Sequence, residues 1–230
     1  MKIKHTDSEI NNFRFGADML KKNDDEILAA IRYMVDLNQI YSAAIKEIST
    51  KLEILDNEFS VRYDHNPIHH IESRLKKPYS ILEKLERKGF EKNIEAATDH
   101  LNDIAGIRVI CNYIKDIYDV ADFLLRQDDV TLINRKDYIE EPKANGYRSL
   151  HIVVTVPVFL STETKLVPVE VQLRTIAMDF WASLEHKLEY KSKNEDKEDI
   201  RIELLECAKS ASELDIKMQN LYFKIHENDN

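Results

Sequence analysis

Glycine is scarce in this chain, and the scarcity excludes a good deal. Among 230 residues there are four glycines, Gly16, Gly89, Gly106 and Gly146. They are too dispersed for a P-loop or a GxGxxG turn. If the protein handles nucleotides, side chains must hold the phosphates. Cysteine is scarcer still. Cys111 and Cys207 stand far apart with no CxxC pattern, and both read as reduced packing residues. No apolar run approaches the roughly 18 residues of a membrane span, and mean hydropathy is −0.45. The N-terminus, Met1-Lys-Ile-Lys-His5, leads into polar residues rather than an apolar signal core. A cytoplasmic protein with no membrane partner is expected. Net positive charge is also missing: the balance is −9 and the pI about 5.4. That argues against duplex DNA as a partner, while a local basic patch can still bind a small phosphorylated ligand.

What is present begins with Pro168-Val-Glu170-Val-Gln172-Leu-Arg174-Thr175. Apolar and polar residues alternate with period two, which predicts a β-strand. Val169, Val171 and Leu173 point one way; Glu170, Gln172 and Arg174 point the other. A carboxylate, an amide and a guanidinium in one row on a central strand are costly unless that face lines a polar site. Such a row suits a metal ion, a hydroxyl and a phosphate.

Around it the pattern reads as helices, then strands mixed with helices, then helices. From Ile27 to Leu55 apolar residues recur at steps of four and three, with Asn38 at one seam position. Ile200, Leu204, Cys207, Ala211, Leu214, Met218, Leu221 and Ile225 form a similar seam near the C-terminus. These seams could pack on each other, on the core or on another subunit. Pro67 and Pro78 bracket a short segment, Ile68 to Lys77. A helix is predicted over Tyr79–Lys88 with Gly89 as its C-cap. Further helices are predicted over Asp116–Arg126 and Thr175–Tyr190. Strands are predicted over Ile107–Ile114, Val130–Ile133, Leu150–Phe159 and Lys165–Leu173. A loop with Asn-Gly turn chemistry covers Glu140–Gly146. The fold class is α+β: a mixed sheet flanked by helices, with long N- and C-terminal helices. The expected division is a helical extension over 1–66, a core over 67–191 and a C-terminal helix over 192–230, with oligomerisation as its role.

Three constellations carry chemistry. Asp103, just before a strand, and Glu170 could together hold Mg²⁺, whose hard charge takes oxygen ligands. Arg74, Lys76, Lys77, Lys84, Arg108, Lys136, Lys143 and Arg174 supply positive charge. Arg108 sits inside an apolar strand and so needs an anionic partner. Ala144-Asn-Gly-Tyr147-Arg-Ser-Leu-His151 offers an aromatic face for base stacking and an imidazole for a phosphate or ribose. Taken singly, each of these side chains is as readily a solvated charge or a packed aromatic. His65, His69, His70 and Glu72 form a further cluster, read as solvated loop residues or as a regulatory metal site. Trp181 reads as core, beside an apolar face of Phe180, Leu184 and Leu188. Glu185 and His186 could support the site from behind.

In order along the chain stand Arg74-Leu-Lys76 with Ser80 and Lys84; Asp103-Ile-Ala-Gly-Ile-Arg108; and Lys136-Asp-Tyr-Ile139. After them come Asn145-Gly-Tyr147-Arg-Ser-Leu-His151, Glu170-Val-Gln-Leu-Arg-Thr175 and Asp179-Phe-Trp181 through Lys191. This series resembles the synthetase domain of the RelA/SpoT homologue superfamily, and in particular its small alarmone synthetases. The resemblance implies a nucleotidyltransferase-like sheet. It also implies transfer of the β,γ-pyrophosphate of ATP to the ribose 3′-OH of GDP or GTP, giving AMP and ppGpp or pppGpp. Asp103 and Glu170 would serve Mg²⁺, with Glu170 also the base. Arg74, Lys76, Ser80, Lys84, Arg108 and Lys136 would hold ATP. Lys143, Asn145, Tyr147, His151, Gln172, Arg174 and Asp179 would hold the guanosine nucleotide, with Tyr147 stacked on guanine. The resemblance further implies a homotetramer that synthesises in the bacterial stringent response without a hydrolase domain. Competing readings are the same fold with an adenine-nucleotide or tRNA acceptor, and a non-catalytic nucleotide- or RNA-binding oligomer.

Overall fold

The protein was studied as a computed structural model, which describes residues 24–191 and 197–226. The segment Met1–Asn23 and the side chains of Ile27, Ile31, His186 and Tyr190 lie outside the described residues. The elements run α1 (Asp24–Arg62), β1 (Ile68–Leu75), α2 (Pro78–Lys88), α3 (Ile94–His100), β2 (Ala105–Cys111), α4 (Ile114–Leu125), β3 (Thr131–Asp137), β4 (Leu150–Phe159), β5 (Thr164–Thr175), α5 (Ile176–Lys191) and α6 (Lys197–His226).

The strands form one mixed sheet in the order β1-β2-β5-β4-β3, in which β2 and β5 run parallel and the other neighbours antiparallel. The expected strand over 165–173 is thus the middle strand. Val167, Val169, Val171 and Leu173 are buried, while Glu170 and Gln172 are only half-buried on the opposite face. The apolar face packs against α1, whose Tyr41, Ile48 and Leu52 enter the core, and against Ile117, Val120, Ala121 and Leu124 of α4. One face is therefore sealed by helices, and the polar face is left for chemistry.

Several expectations are refined. The segment between Pro67 and Pro78 is an edge strand rather than an unassigned connection. The strand expected at Val130–Ile133 starts at Thr131 and continues to Asp137, which brings Lys136 into the sheet. Gly89 caps α2 in the left-handed region, with φ 76°, as the sequence suggested. Asn38 faces outward and accepts a hydrogen bond from Ser42 on the next turn.

The C-terminal seam turns mostly away from the fold. Leu204 packs inward and Ala211 is half-buried, but Cys207, Leu214, Met218, Leu221 and Ile225 are exposed. The face that α6 turns to the fold is Leu204, Ala208, Ser212, Asp215, Gln219 and Tyr222, at the 3.6-residue period of a straight helix. Polar contacts hold it: Thr175 Oγ1 donates to Asp215 at 2.6 Å, and the backbone N–H of Lys115 donates to Gln219 at 2.7 Å. Trp181 is buried as expected, packed with Leu204 and Ala208, and its indole donates to the Leu204 carbonyl. Phe180, Leu184 and Leu188, the apolar face read beside it, are exposed.

Candidate active site

Strand register assembles the site. Glu72, Arg108, Gln172, His151 and Lys136 are successive Cα partners across all the strands, a polar row spanning the sheet. One step along, Arg74, Gly106 and Glu170 are partners in turn. Gly106 carries no side chain there, so a hollow is left beside Glu170. That hollow, about 60 Å³, is lined by Glu72, Arg74, Asp103, Gly106, Arg108, Glu170 and Gln172, among others.

Asp103 sits at its edge, where the chain enters β2. Its Oδ2 accepts from Lys76 at 2.7 Å and from Lys84 at 2.5 Å. Burial alone would raise the Asp103 pKa, but the two ammonium groups outweigh it and hold the carboxyl below its usual range. Its other oxygen, Oδ1, is buried and has no hydrogen-bond partner among the described residues. An anionic oxygen so placed is costly unless something cationic faces it.

Glu170 is governed by a second set of neighbours. Gln172 Nε2 donates to its Oε2 at 2.8 Å, and His151 Nδ1 stands 3.4 Å from its Oε1. Burial pushes its pKa up and Asp103 adds repulsion, yet His151 and Gln172 prevail and the pKa is lowered. Glu170 is therefore ionised at neutral pH.

The aromatic side of the cleft comes from the loop between β3 and β4. Gly146 turns with φ 89°, its N–H donating to the Lys143 carbonyl at 2.8 Å, and the Lys143 N–H donates to the Tyr147 carbonyl. Lys143 Nζ lies 4.5 Å from the Tyr147 ring centroid and 4.6 Å from that of Tyr138. Burial lowers the Lys143 pKa, and Lys136 and Arg174 add to the effect against the pull of Glu170. Arg174 reaches the Tyr147 hydroxyl at 2.6 Å, Gln172 Oε1 at 2.9 Å and Asp179 at 3.2 Å. Asp179 also stands 3.4 Å from Arg108, so one carboxylate bridges two guanidiniums. Arg108 also pairs with Glu72 at 3.3 Å.

The structure thus brings Asp103, Lys76, Lys84, Arg74, Arg108, Glu170 and Gln172 to one part of the cleft. Lys143, Tyr147, His151, Arg174 and Asp179 lie in the adjoining part. Lys136 lies exposed at the end of the polar row, and Ser80 is half-buried on α2. Asn145 turns away from the cleft, donating to Glu185 of α5 at 2.9 Å, so Glu185 supports the loop as expected. Two residues had gone unassigned to the cleft. Tyr138 packs edge-on against both Tyr147 and His151, a role that its place in Lys136-Asp-Tyr-Ile could have suggested. Glu72 had been grouped with the histidines.

That histidine cluster splits in two, with His70 remaining 3.6 Å from Glu72. His65 turns behind the sheet to Asp116, at 2.9 Å, while His69 and His70 face each other with Nδ1 atoms 2.8 Å apart. A register irregularity between Ile68 and His70 places both rings on one side of the edge strand. Among the described residues no group of three or more His, Cys, Asp or Glu side chains is arranged to hold a metal ion.

A family profile described as a region found in RelA and SpoT proteins matches residues 73–195, the segment that builds this cleft. The chain belongs to the RelA/SpoT family. It is 46% identical over 179 residues to the GTP pyrophosphokinase YwaC of Bacillus subtilis, across 78% of this chain and 85% of that protein. The fold matches the crystal structure of small alarmone synthetase 1 from Bacillus subtilis bound to its product pppGpp. There the TM-score is 0.78 and the identity 34%, with 85% of this chain and 99% of the other covered. Small alarmone synthetase 2 of the same organism matches with a TM-score of 0.73 and 44% identity, over 81% of this chain and 97% of the other. The nucleotidyltransferase-like α+β fold expected of a RelA/SpoT synthetase is the fold observed.

Proposed function

We propose that this chain is a GTP pyrophosphokinase that transfers the β,γ-pyrophosphate of ATP to the ribose 3′-OH of GDP or GTP. The observation that carries the reading is the polar face of the central strand. Glu170 there adjoins the lysine-bound Asp103 on one side and the Tyr147–His151–Arg174 group on the other. In the reaction the 3′-oxygen bonds to the β-phosphorus of ATP, the bond from that phosphorus to the α-phosphate bridging oxygen breaks, and AMP leaves. Glu170, ionised and next to the hollow, takes the hydroxyl proton. Arg74, Lys76, Lys84 and Arg108 offset the charge of the triphosphate, with Ser80 and Lys136 at its margins. Tyr147 offers its ring to guanine, and Lys143, His151 and Arg174 meet the acceptor phosphates. Gln172 holds Glu170 and Arg174 in register. Asn145 and Asp179 act one step back, on the loop and on the two arginines.

The donor set fits Mg²⁺. The unpartnered Asp103 Oδ1 and the Glu170 carboxylate are hard oxygen ligands beside one hollow, and Mg²⁺ commonly takes one or two carboxylates plus substrate phosphates. Such an ion would supply charge neutralisation for the transferred group and acidify the attacking hydroxyl. Two exposed apolar stripes, Phe180, Leu184 and Leu188 on α5 and Leu214, Met218, Leu221 and Ile225 on α6, favour association with further copies, and the assembly proposed is a homotetramer. Light scattering on the purified protein checks its mass. No helix among the described residues is long and apolar enough to cross a membrane. The reading places the enzyme in the cytoplasm, acting in the stringent response.

The test is incubation with labelled ATP, Mg²⁺ and each of GTP, GDP, GMP and ATP as acceptor. Labelled pppGpp or ppGpp is expected with GTP or GDP. Label on an adenine acceptor alone, or on none, overturns the proposal.

A further inference from the structure

The loop that carries Tyr147 is walled from behind by α6. A Cβ placed on Gly146 would stand 2.5 Å from Ala208 Cβ and 3.1 Å from Leu205 Cδ1. Helix and loop are therefore already at contact distance, and the left-handed turn at Gly146 is what lets them meet. α6 is pinned on either side of this contact. The Trp181 indole donates to the Leu204 carbonyl at 2.8 Å, and Thr175 Oγ1 donates to the buried Asp215 at 2.6 Å. Thr175 directly follows Arg174 and also caps the start of α5 by accepting from the Met178 N–H. A helix fixed at two points to the elements of the site cannot drift away from the loop without disturbing them.

We propose that Ala208 is a positioning residue for the nucleotide acceptor: its small side chain sets where the 143–148 loop sits, and so where Tyr147 and Lys143 meet the acceptor. The proposal rests on the reading of that loop as the acceptor site. The loop closes on itself through the Lys143–Gly146 and Lys143–Tyr147 backbone bonds, so pressure at Gly146 moves Tyr147 and Lys143 together. The Asp103 side is held by Lys76 and Lys84, which belong to the β1–α2 region, and is insulated from that pressure.

Steady-state kinetics on the full chain test it. Ala208→Leu is expected to raise KM for the guanosine nucleotide on the order of tenfold or more, since small misplacements of a binding group carry such losses. KM for ATP should stay within about twofold. Gly146→Ala should also raise the acceptor KM, through the contact with Ala208 and through the strain of a side chain at φ 89°. An unchanged acceptor KM in Ala208→Leu, or a parallel rise for both nucleotides, overturns the positioning role. Tyr147→Ala run alongside separates the two ideas. If it leaves the acceptor KM unchanged, the reading of the site fails. If it raises that KM and Ala208→Leu does not, only the positioning role fails.

Discussion

The Tyr147 hydroxyl lies 2.8 Å from His151 Nε2. Arg174 can only donate, and it donates to the same hydroxyl at 2.6 Å. With His151 in its Nδ1–H tautomer the hydroxyl turns its own hydrogen to Nε2, and Nδ1 faces Glu170 Oε1 at 3.4 Å. In that tautomer a chain of polar contacts runs from Arg174 through Tyr147 and His151 to Glu170. The residue proposed to stack on guanine and the residue proposed to activate the 3′-OH are parts of one network.

This separates the two uses of Tyr147. In Tyr147→Phe the ring face survives and the network loses its middle, so kcat should fall several-fold with the acceptor KM little moved. In Tyr147→Ala the stacking face is lost as well. Base–aromatic stacking is worth roughly 1–3 kcal/mol, so the acceptor KM should rise about five- to a hundredfold. KM for ATP should hold in both. A Phe variant as poor in acceptor binding as the Ala variant would mean that the hydroxyl, not the ring, holds the nucleotide.

Glu170→Gln keeps the shape of the side chain and removes the proton acceptor. Turnover should drop about 10²- to 10⁴-fold, with both nucleotides still bound by equilibrium dialysis. The substitution should also change the response to acid. Asp103 and Glu170 both have pKa values lowered in the fold. Each therefore contributes stability that is present above its unfolded pKa and is lost as pH falls through the lowered folded value. The Tm of the parent should decline in that acid range. Glu170→Gln should decline less, and identical acid limbs would contradict the environment described for Glu170.

How much of this was legible in the sequence depended on what disciplines each pattern. The alternation from Pro168 to Thr175 was readable because a strand between two neighbours has no freedom to rotate. Once Val169, Val171 and Leu173 face the core, Glu170 and Gln172 must face the cleft. The facing of the α6 seam was left open by the sequence because a helix can rotate. Its apolar residues marked a stripe without saying what it meets, and the inward face is chosen by particular partners: the Trp181 indole, Thr175 and the Lys115 N–H select Leu204, Asp215 and Gln219. His65 could not be separated from His69 and His70 for a similar reason. Its partner Asp116 is 51 positions away, and no local pattern announces such a pairing. The motifs that located the cleft lie on strands and their entries, where local order and spatial order coincide.

Asp103→Asn tests the metal reading. The substitution removes a charge that two lysines now neutralise, and it weakens the oxygen set beside the hollow. Fewer charged oxygen ligands mean weaker binding of a hard cation, so the Mg²⁺ concentration giving half the maximal rate should rise by roughly tenfold or more. Raising Mg²⁺ should recover part of the loss. A lower rate with an unchanged Mg²⁺ dependence would leave Asp103 as a partner of the lysines only.

Asp215 gives a stability prediction of the opposite sign. Burial raises its carboxyl pKa to about 6, against the hydrogen bond from Thr175 and the charge of Arg148. A raised carboxyl favours the fold when protonated. Its contribution is complete below the unfolded pKa and is lost as pH rises through about 6. At neutral pH the buried ionised form therefore costs the fold, by about 2–3 kcal/mol at most for a shift of this size. Asp215→Asn keeps an oxygen to accept from Thr175 and removes the charge. The variant should have the higher Tm at pH 7.5, and the gap should close as pH falls toward 4, where the parent carboxyl is neutral too. A variant less stable than the parent at neutral pH would show instead that the ionised carboxylate, paired with Arg148, holds α6 in place.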